Sequence, residues 1–355
     1  MSNTTSLSTP RSDSQPTVNR RFCVAPMIDW TDRHCRFFHR LISKQAVLYT
    51  EMISTGALLN GDVAKLLNHD TREYPLALQL GGNDPTQLAH CARLGQRVGY
   101  SEINLNCGCP SDRVQQGRFG ASLMAQPSLV ADCMAALRDA VDIPVTIKHR
   151  IGIDRQTCYR KLADFVGTVA ESGCRTFIVH ARMAWLDGLS PKQNRHLPPL
   201  QYELVYKLKQ DFPTCEIVIN GGITHFDDIT EHLRQTDGVM LGREVYKNPF
   251  ILASVDHRLY GEAPTKLDRL HILEQIIPYA EEQLRHSVRL NHITRHLLGL
   301  FHGQPGGKKF RQFLGAETLR ANADVDVLAK AITFMEAFSL KELDTGVIES
   351  STAFR

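Results

Sequence analysis

Cys109 lies in the run Asn106-Cys107-Gly108-Cys109-Pro110, directly after the alternating segment Glu102-Ile103-Asn104-Leu105. The spacing predicts a thiol on a kinked loop at the end of a strand. Gly108 frees the backbone there, and Pro110 fixes φ and removes a donor, so the loop cannot continue a strand ladder. A thiol held in that way can serve as acid, nucleophile or metal ligand, or fill apolar space. No second cysteine pair stands at a spacing suited to a tetrahedral site, so no metal is expected. Cys107 reads as core packing. Lys148 closes Val145-Thr146-Ile147-Lys148, and strand alternation aims its ammonium at the same kind of cleft. It can form a Schiff base there or stay cationic beside an electron-rich ring.

The elements that must position these groups are legible from Arg21 onward. Short β-branched runs alternate with helical patterns, the signature of βα units around a parallel sheet. Eight runs recur: Phe22 to Met27, Ala46 to Met52, Pro75 to Leu80, Ser101 to Asn106, Pro144 to His149, Thr176 to Ala181, Cys215 to Asn220 and Gly238 to Leu241. Between them lie helix-length stretches such as Asp84 to Val98, opened by Asn83-Asp84-Pro85, a cap followed by proline at the first turn. Eight units predict an α/β fold of the (β/α)8 TIM-barrel class. An open doubly wound sheet would normally carry Gly-x-Gly-x-x-Gly after its first strand, where this chain reads Ala25-Pro26-Met27-Ile28-Asp29.

In a TIM barrel the chemistry sits at the carboxyl ends of the strands. Taken in order, those ends carry Pro26-Met27, Glu51, Gln79, then Asn104, Asn106 and Cys109, then Lys148, then His180 and Arg182. Asn220-Gly221-Gly222 and Gly242-Arg243 follow at the seventh and eighth, where such barrels build a phosphate site from glycine amides and a cation. A phosphorylated cofactor is therefore expected. A cation, an imidazole, and amides at Gln79 and Asn220 would suit an isoalloxazine.

After about Asp256 the strand signals stop and four helical patterns follow, so residues 21–255 predict the barrel and 256–343 a small C-terminal helical bundle domain. Pro278 is expected to kink the first of those helices. Residues 1–20, almost without apolar side chains, and residues 344–355 read as tails. Gly303 to Lys309 resembles a phosphate loop, but its spacing fails and Lys309 stands where Ser or Thr is required. The segment reads as a turn opening a helix, on which Lys308 and Arg311 share one face and Phe310, Phe313 and Leu314 anchor the other.

Net charge is only +3, but between Glu282 and Glu317 the chain holds six Lys or Arg and no acid, a pattern suited to a polyanion. Nine cysteines without a framework, and no secretory signal, point to a reducing compartment, the cytoplasm. No apolar run approaches the roughly 20 residues that span a bilayer, so a membrane role is not expected. A monomer is the simplest expectation.

Together, Ala25-Pro26-Met27, Leu78-Gln79-Leu80, Asn104 to Pro110, Lys148, Val179-His180-Ala181-Arg182, Asn220 to Ile223 and Gly242-Arg243 resemble the tRNA-dihydrouridine synthases, over nearly all of residues 21–340. Gly188 to Arg195, with Pro198-Pro199-Leu200, further resembles the bacterial A subfamily, which modifies uridines 20 and 20a of the D-loop. The resemblance implies FMN as cofactor and NADPH as reductant, with FMN held by Pro26, Met27, Ile28, Gln79, Lys148, His180, Asn220, Gly221, Gly222, Gly242 and Arg243. It implies a hydride from reduced flavin N5 to uracil C6, a proton from Cys109 to C5, and a uridine flipped from its stack. A thiol is mostly protonated at neutral pH, as an acid requires. Asn106 would touch the substrate nucleotide, and Lys192, Arg195, Lys308 and Arg311 would clamp tRNA phosphate. Left open are an FMN-dependent reductase of a free pyrimidine, similar to a dihydroorotate dehydrogenase, an RNA-binding protein without catalysis, and a Schiff-base aldolase on Lys148.

Overall fold

The computed structural model describes residues 18–154 and 158–351, with side chains through residue 338. Among the described residues nine parallel strands form: β1 Phe22–Val24, β2 Val47–Tyr49, β3 Ile53–Ser54, β4 Leu76–Gly81, β5 Glu102–Cys107, β6 Val145–Arg150, β7 Thr176–His180, β8 Glu216–Asn220 and β9 Gly238–Leu241. Eight of them close into a ring, because β1 pairs with both β2 and β9 while β2 skips to β4. The two-residue β3, which sequence periodicity does not reveal, only extends the edge of β4.

Period-two alternation splits each strand between two apolar layers. Inward-facing Cys23, Ala25, Val47, Tyr49, Ala77, Ile178, Val218 and Met240 fill the barrel. Their outward neighbours, among them Val24, Leu78, Ile103, Leu105 and Cys107, pack under the helices. Cys107 is wholly buried in that outer layer. On β5 the inward register carries Glu102, Asn104 and Asn106, all buried, so a polar spine replaces the usual branched core residues.

The helix Pro85–Arg97 starts as its sequence directs, with the Asp84 side chain accepting from Gln87 N and proline in the first turn. The helix Arg269–Arg285 runs unbroken through Pro278, although proline removes the donor to the Glu274 carbonyl. Buried Ile272, Leu273, Ile276 and Ala280 pack it and outweigh that loss.

The described residues begin before residue 21. Arg20 is buried at the amino-terminal floor of the barrel, with Nε 2.7 Å from Glu102 Oε2 and a terminal nitrogen 2.8 Å from Glu216 Oε2. The rest of the expected amino-terminal tail, residues 1–17, lies outside the described residues. The expected boundary at 256 falls inside the helix Val255–Tyr260, whose Asp256 accepts from Ser43 Oγ and Lys44 N and whose Tyr260 hydroxyl receives the Phe22 amide. Of the expected carboxyl tail, residues 344–351 fall in the helix Asp326–Ser351 and 352–355 lie outside the described residues.

Candidate active site

The carboxyl ends of the strands enclose a cavity of about 470 Å³, within the range of ligand pockets. Its walls include Pro26, Met27, Ile28, Gln79, Asn106, Cys109, Lys148, His180, Asn220, Gly221, Gly222, Gly242 and Arg243, together with Arg195. Strand register explains the convergence. Gln79 is level with Asn104, Asn106 with Lys148, Arg150 with His180 and His180 with Asn220. Consecutive strands therefore hand their last inward residue to one opening.

Cys109 sits half-buried on the loop leaving β5. Asn106 Oδ1 accepts from the backbone amides of Gly108 (3.1 Å) and Cys109 (3.0 Å), and the Cys109 carbonyl accepts from Ala121 N at 2.9 Å. Gly120 makes that last contact possible. Its φ is +71°, and a Cβ there would meet the Cys109 carbonyl oxygen at 2.6 Å. The thiol lies 3.4 Å from Ser111 Oγ.

On the neighbouring strand β6, Lys148 Nζ donates to Asn220 Oδ1 at 3.1 Å, and Asn220 Nδ2 donates to the Met240 carbonyl at 2.7 Å. Burial, with Arg150 nearby, pushes the Lys148 ammonium down to about 7 against the pull of Cys109. Burial and then Arg150 push His180 well below the usual imidazole range, so its ring is neutral at pH 7. His180 Nδ1 is buried and finds no hydrogen-bond partner among the described residues. A desolvated lysine and an orphaned imidazole nitrogen facing one cavity are groups that await a ligand. At the next strand end Gly221 and Gly222 take φ of +122° and +71°, with Leu200 and the His180 ring where side chains would go.

Arg150 also lines the cavity and is absent from the residues that the sequence singles out. It is buried, and donates to the carbonyls of Gly108, Met183 and Asn194, each at 3.0 Å. It thereby ties the thiol loop to the long connection after β7. Its signal was present in the alternation, since it stands two residues beyond Lys148. Asp29, Trp30 and Met52 also line the cavity without a motif to mark them. In the long connection itself, wholly buried Asn194 bonds to both Trp185 backbone groups and to the Leu189 carbonyl. Arg195 reaches the cavity rim, while Lys192 is exposed outside it. Lys308 and Arg311 are exposed on the helix Gly307–Glu317, over buried Phe310 and Leu314, and do not line the cavity.

A model of the family described as dihydrouridine synthase matches residues 23–337. The chain belongs to the dihydrouridine synthase family. It is 54% identical to the tRNA-dihydrouridine(20/20a) synthase of Pseudomonas putida over 329 residues, covering 93% of this chain and 98% of the relative. The protein of the same name from Salmonella typhi is 54% identical, covering 91% and 97%, and that of Synechocystis sp. is 56% identical, covering 87% and 92%. Among solved structures, a 2-naphthoyl-CoA reductase in complex with 2-naphthoyl-CoA superposes with a TM-score of 0.50 at 10% identity, over 66% of this chain and 49% of that one, a likeness of fold alone. The barrel mouth thus gathers a thiol, a buried lysine, a neutral histidine and paired glycines around one cavity.

Proposed function

We infer that the protein reduces the C5–C6 bond of uridine in tRNA to 5,6-dihydrouridine, consuming one NADPH and one proton per base. The observation that carries this reading is that Cys109 shares a single cavity with Lys148, His180, Asn220 and the glycine pair. The residues fit a flavin mononucleotide. Gln79, Lys148, His180 and Asn220 would meet the ring, and Gly221, Gly222, Gly242 and Arg243 its phosphate, with Pro26, Met27 and Ile28 along one edge. Bound FMN would supply the hydride. Lys148, cationic beside a negative ring, stabilises charge there; Cys109 carries the proton destined for C5; Asn106 holds the thiol loop and faces the base.

The substrate reaches this cavity from RNA, so one base must leave its stack. Arg195 at the rim and Lys192 beside it, with Lys308 and Arg311 on the helical segment, are suited to phosphate contacts that position rather than read sequence. The targets we propose are uridines 20 and 20a of the D-loop, and the protein is taken to work as a cytoplasmic monomer.

The decisive experiment supplies flavin-replete protein with NADPH and tRNA lacking dihydrouridine, then maps dihydrouridine by mass spectrometry. Appearance at positions 20 and 20a is expected. Unchanged tRNA would overturn the reading, and turnover of a free pyrimidine alone would favour the dihydroorotate dehydrogenase-like alternative.

A further inference from the structure

A chain of buried polar side chains runs from the barrel floor to the thiol loop. At the floor, the Glu102 carboxylate is paired with Arg20 at 2.7 Å and accepts the hydroxyls of Tyr49 at 2.8 Å and Thr146 at 2.5 Å. Thr146 Oγ1 accepts from Asn104 Nδ2 at 2.8 Å, and Asn104 Oδ1 accepts from Gln79 Nε2 at 2.7 Å. Gln79 Oε1 then accepts from Asn106 Nδ2 at 2.8 Å, and Asn106 Oδ1 accepts from the Gly108 and Cys109 amides. Glu102, Asn104, Thr146 and Gln79 are essentially inaccessible to solvent, so water does not substitute for the links among them.

The direction of every bond in this chain is forced from both ends. A carboxylate paired with arginine only accepts, so Thr146 must spend its one proton on Glu102 and can only accept from Asn104. That fixes the Asn104 amide, which fixes Gln79, which fixes Asn106 with its oxygen toward the loop. From the other end, two backbone N–H groups only donate, and they demand that same oxygen. A reversal anywhere would turn the Asn106 amide nitrogen against two donors and release the loop.

We propose that Arg20, Glu102, Thr146 and Asn104 are positioning residues, whose one-way hydrogen-bond relay holds the Cys109 loop in register and orients the Gln79 and Asn106 amides toward the cavity. The catalytic half of this proposal rests on the reading of Cys109 as the proton donor. The relay itself rests only on the geometry.

The test uses the full-length protein with wild type, Thr146→Val, Thr146→Ser and Glu102→Gln. Thr146→Val removes the hydroxyl at nearly constant volume, and Glu102→Gln lets the relay reverse. Hydrogen exchange at the Gly108 and Cys109 amides is the direct readout. In wild type both should be protected although the loop is half-exposed. Protection should fall at least tenfold in Thr146→Val and Glu102→Gln and persist in Thr146→Ser, which keeps the hydroxyl. Single-turnover uridine reduction by pre-reduced enzyme should fall at least tenfold in the first two and stay within twofold of wild type in the third.

Fast exchange of these amides in wild type overturns the relay, and that measurement stands even if a variant fails to fold. Unchanged protection in the folded variants does the same. Lost protection with uridine turnover still within twofold of wild type would overturn the catalytic half. Were wild type inactive on uridine, the function would fail while the exchange arms still judged the relay.

Discussion

Cys109 and Lys148 line one cavity from the ends of the adjacent strands β5 and β6 but answer to different physics. The thiol is placed by backbone bonds to Asn106 and by the glycine at 120, so its substitution should remove chemistry without removing the loop. Cys109→Ala is expected to slow uridine reduction by roughly 10²-fold or more, the scale of a lost general acid. Reduction of bound flavin by NADPH should be nearly unchanged, as stopped-flow absorbance would show, and uridine turnover at the wild-type rate would contradict the assignment. Lys148 is desolvated with no carboxylate paired to it among the described residues and holds Asn220 by one bond. Lys148→Met should weaken FMN retention by roughly tenfold or more, the value of a charged hydrogen bond. Fluorescence of released flavin measures it. Lys148, His180 and Gln79 were legible in the sequence because strand alternation aims them inward. Arg150 shares that alternation two residues on, but only the fold supplies the three carbonyls that hold it there.

At the scale of elements, the barrel and the helical segment are joined through Asp32. Its side chain caps the helix Arg33–Ile42 by accepting from His34 N and Cys35 N, and it also meets Arg295 at 2.5 Å and buried His296 at 3.0 Å. Burial works against its charge, but His296, then the Cys35 amide and Arg295, hold the carboxyl well below its usual range. Asparagine caps nearly as well as aspartate, so Asp32→Asn separates the two roles. Asp32→Ala should cost about 1 kcal/mol more than Asp32→Asn in urea unfolding, the worth of a cap. Equal costs would mean that the ion pairs alone matter. The same observation sharpens the basic interval. Arg295 and His296 face the barrel, whereas Lys308 and Arg311 face solvent. Replacing Lys308 and Arg311 by alanine should weaken tRNA binding and reduce the slope of log K against log salt by roughly one unit per lost phosphate contact. An unchanged slope would move the tRNA surface elsewhere. The helices of this segment were legible from their 3.6-residue period. Which of their cations turn inward was not, because Asp32 lies far away in the chain.

The whole molecule carries a pH dependence set by histidines folded in neutral form. Burial pushes His34 and His149 down to about 4 and His39 to about 3. His34 Nδ1 lies 2.7 Å from the Tyr279 hydroxyl, and His149 Nδ1 donates to the Arg150 carbonyl at 2.7 Å. The unfolded chain binds protons at these rings below about 6.5, and the folded chain does not until much lower. Stability is therefore full above pH 6.5 and declines as pH falls toward 4, by up to roughly 1.4 kcal/mol per pH unit for each ring. Urea midpoints measured from pH 7 to 4.5 should fall steadily, and a flat profile would show that these rings titrate alike in both states.

The sequence by itself determined the eight βα units, the inward register of each strand and the polar residues at the strand ends. Those features are local, since a strand's faces alternate every residue and its end is marked by glycine or proline. Tertiary structure alone decided what closes the charges. Arg20 reads as part of a polar tail until Glu102 and Glu216 come together beneath the barrel to receive it. Glu102 reads as part of an ordinary alternation, and Asn104 and Asn106 as separate strand-end groups, until Gln79 and Thr146 arrive from neighbouring strands and connect them. The reason is physical. Burying a polar group demands a partner, and in a closed barrel that partner comes from whichever strand the ring brings alongside, at no fixed distance in sequence.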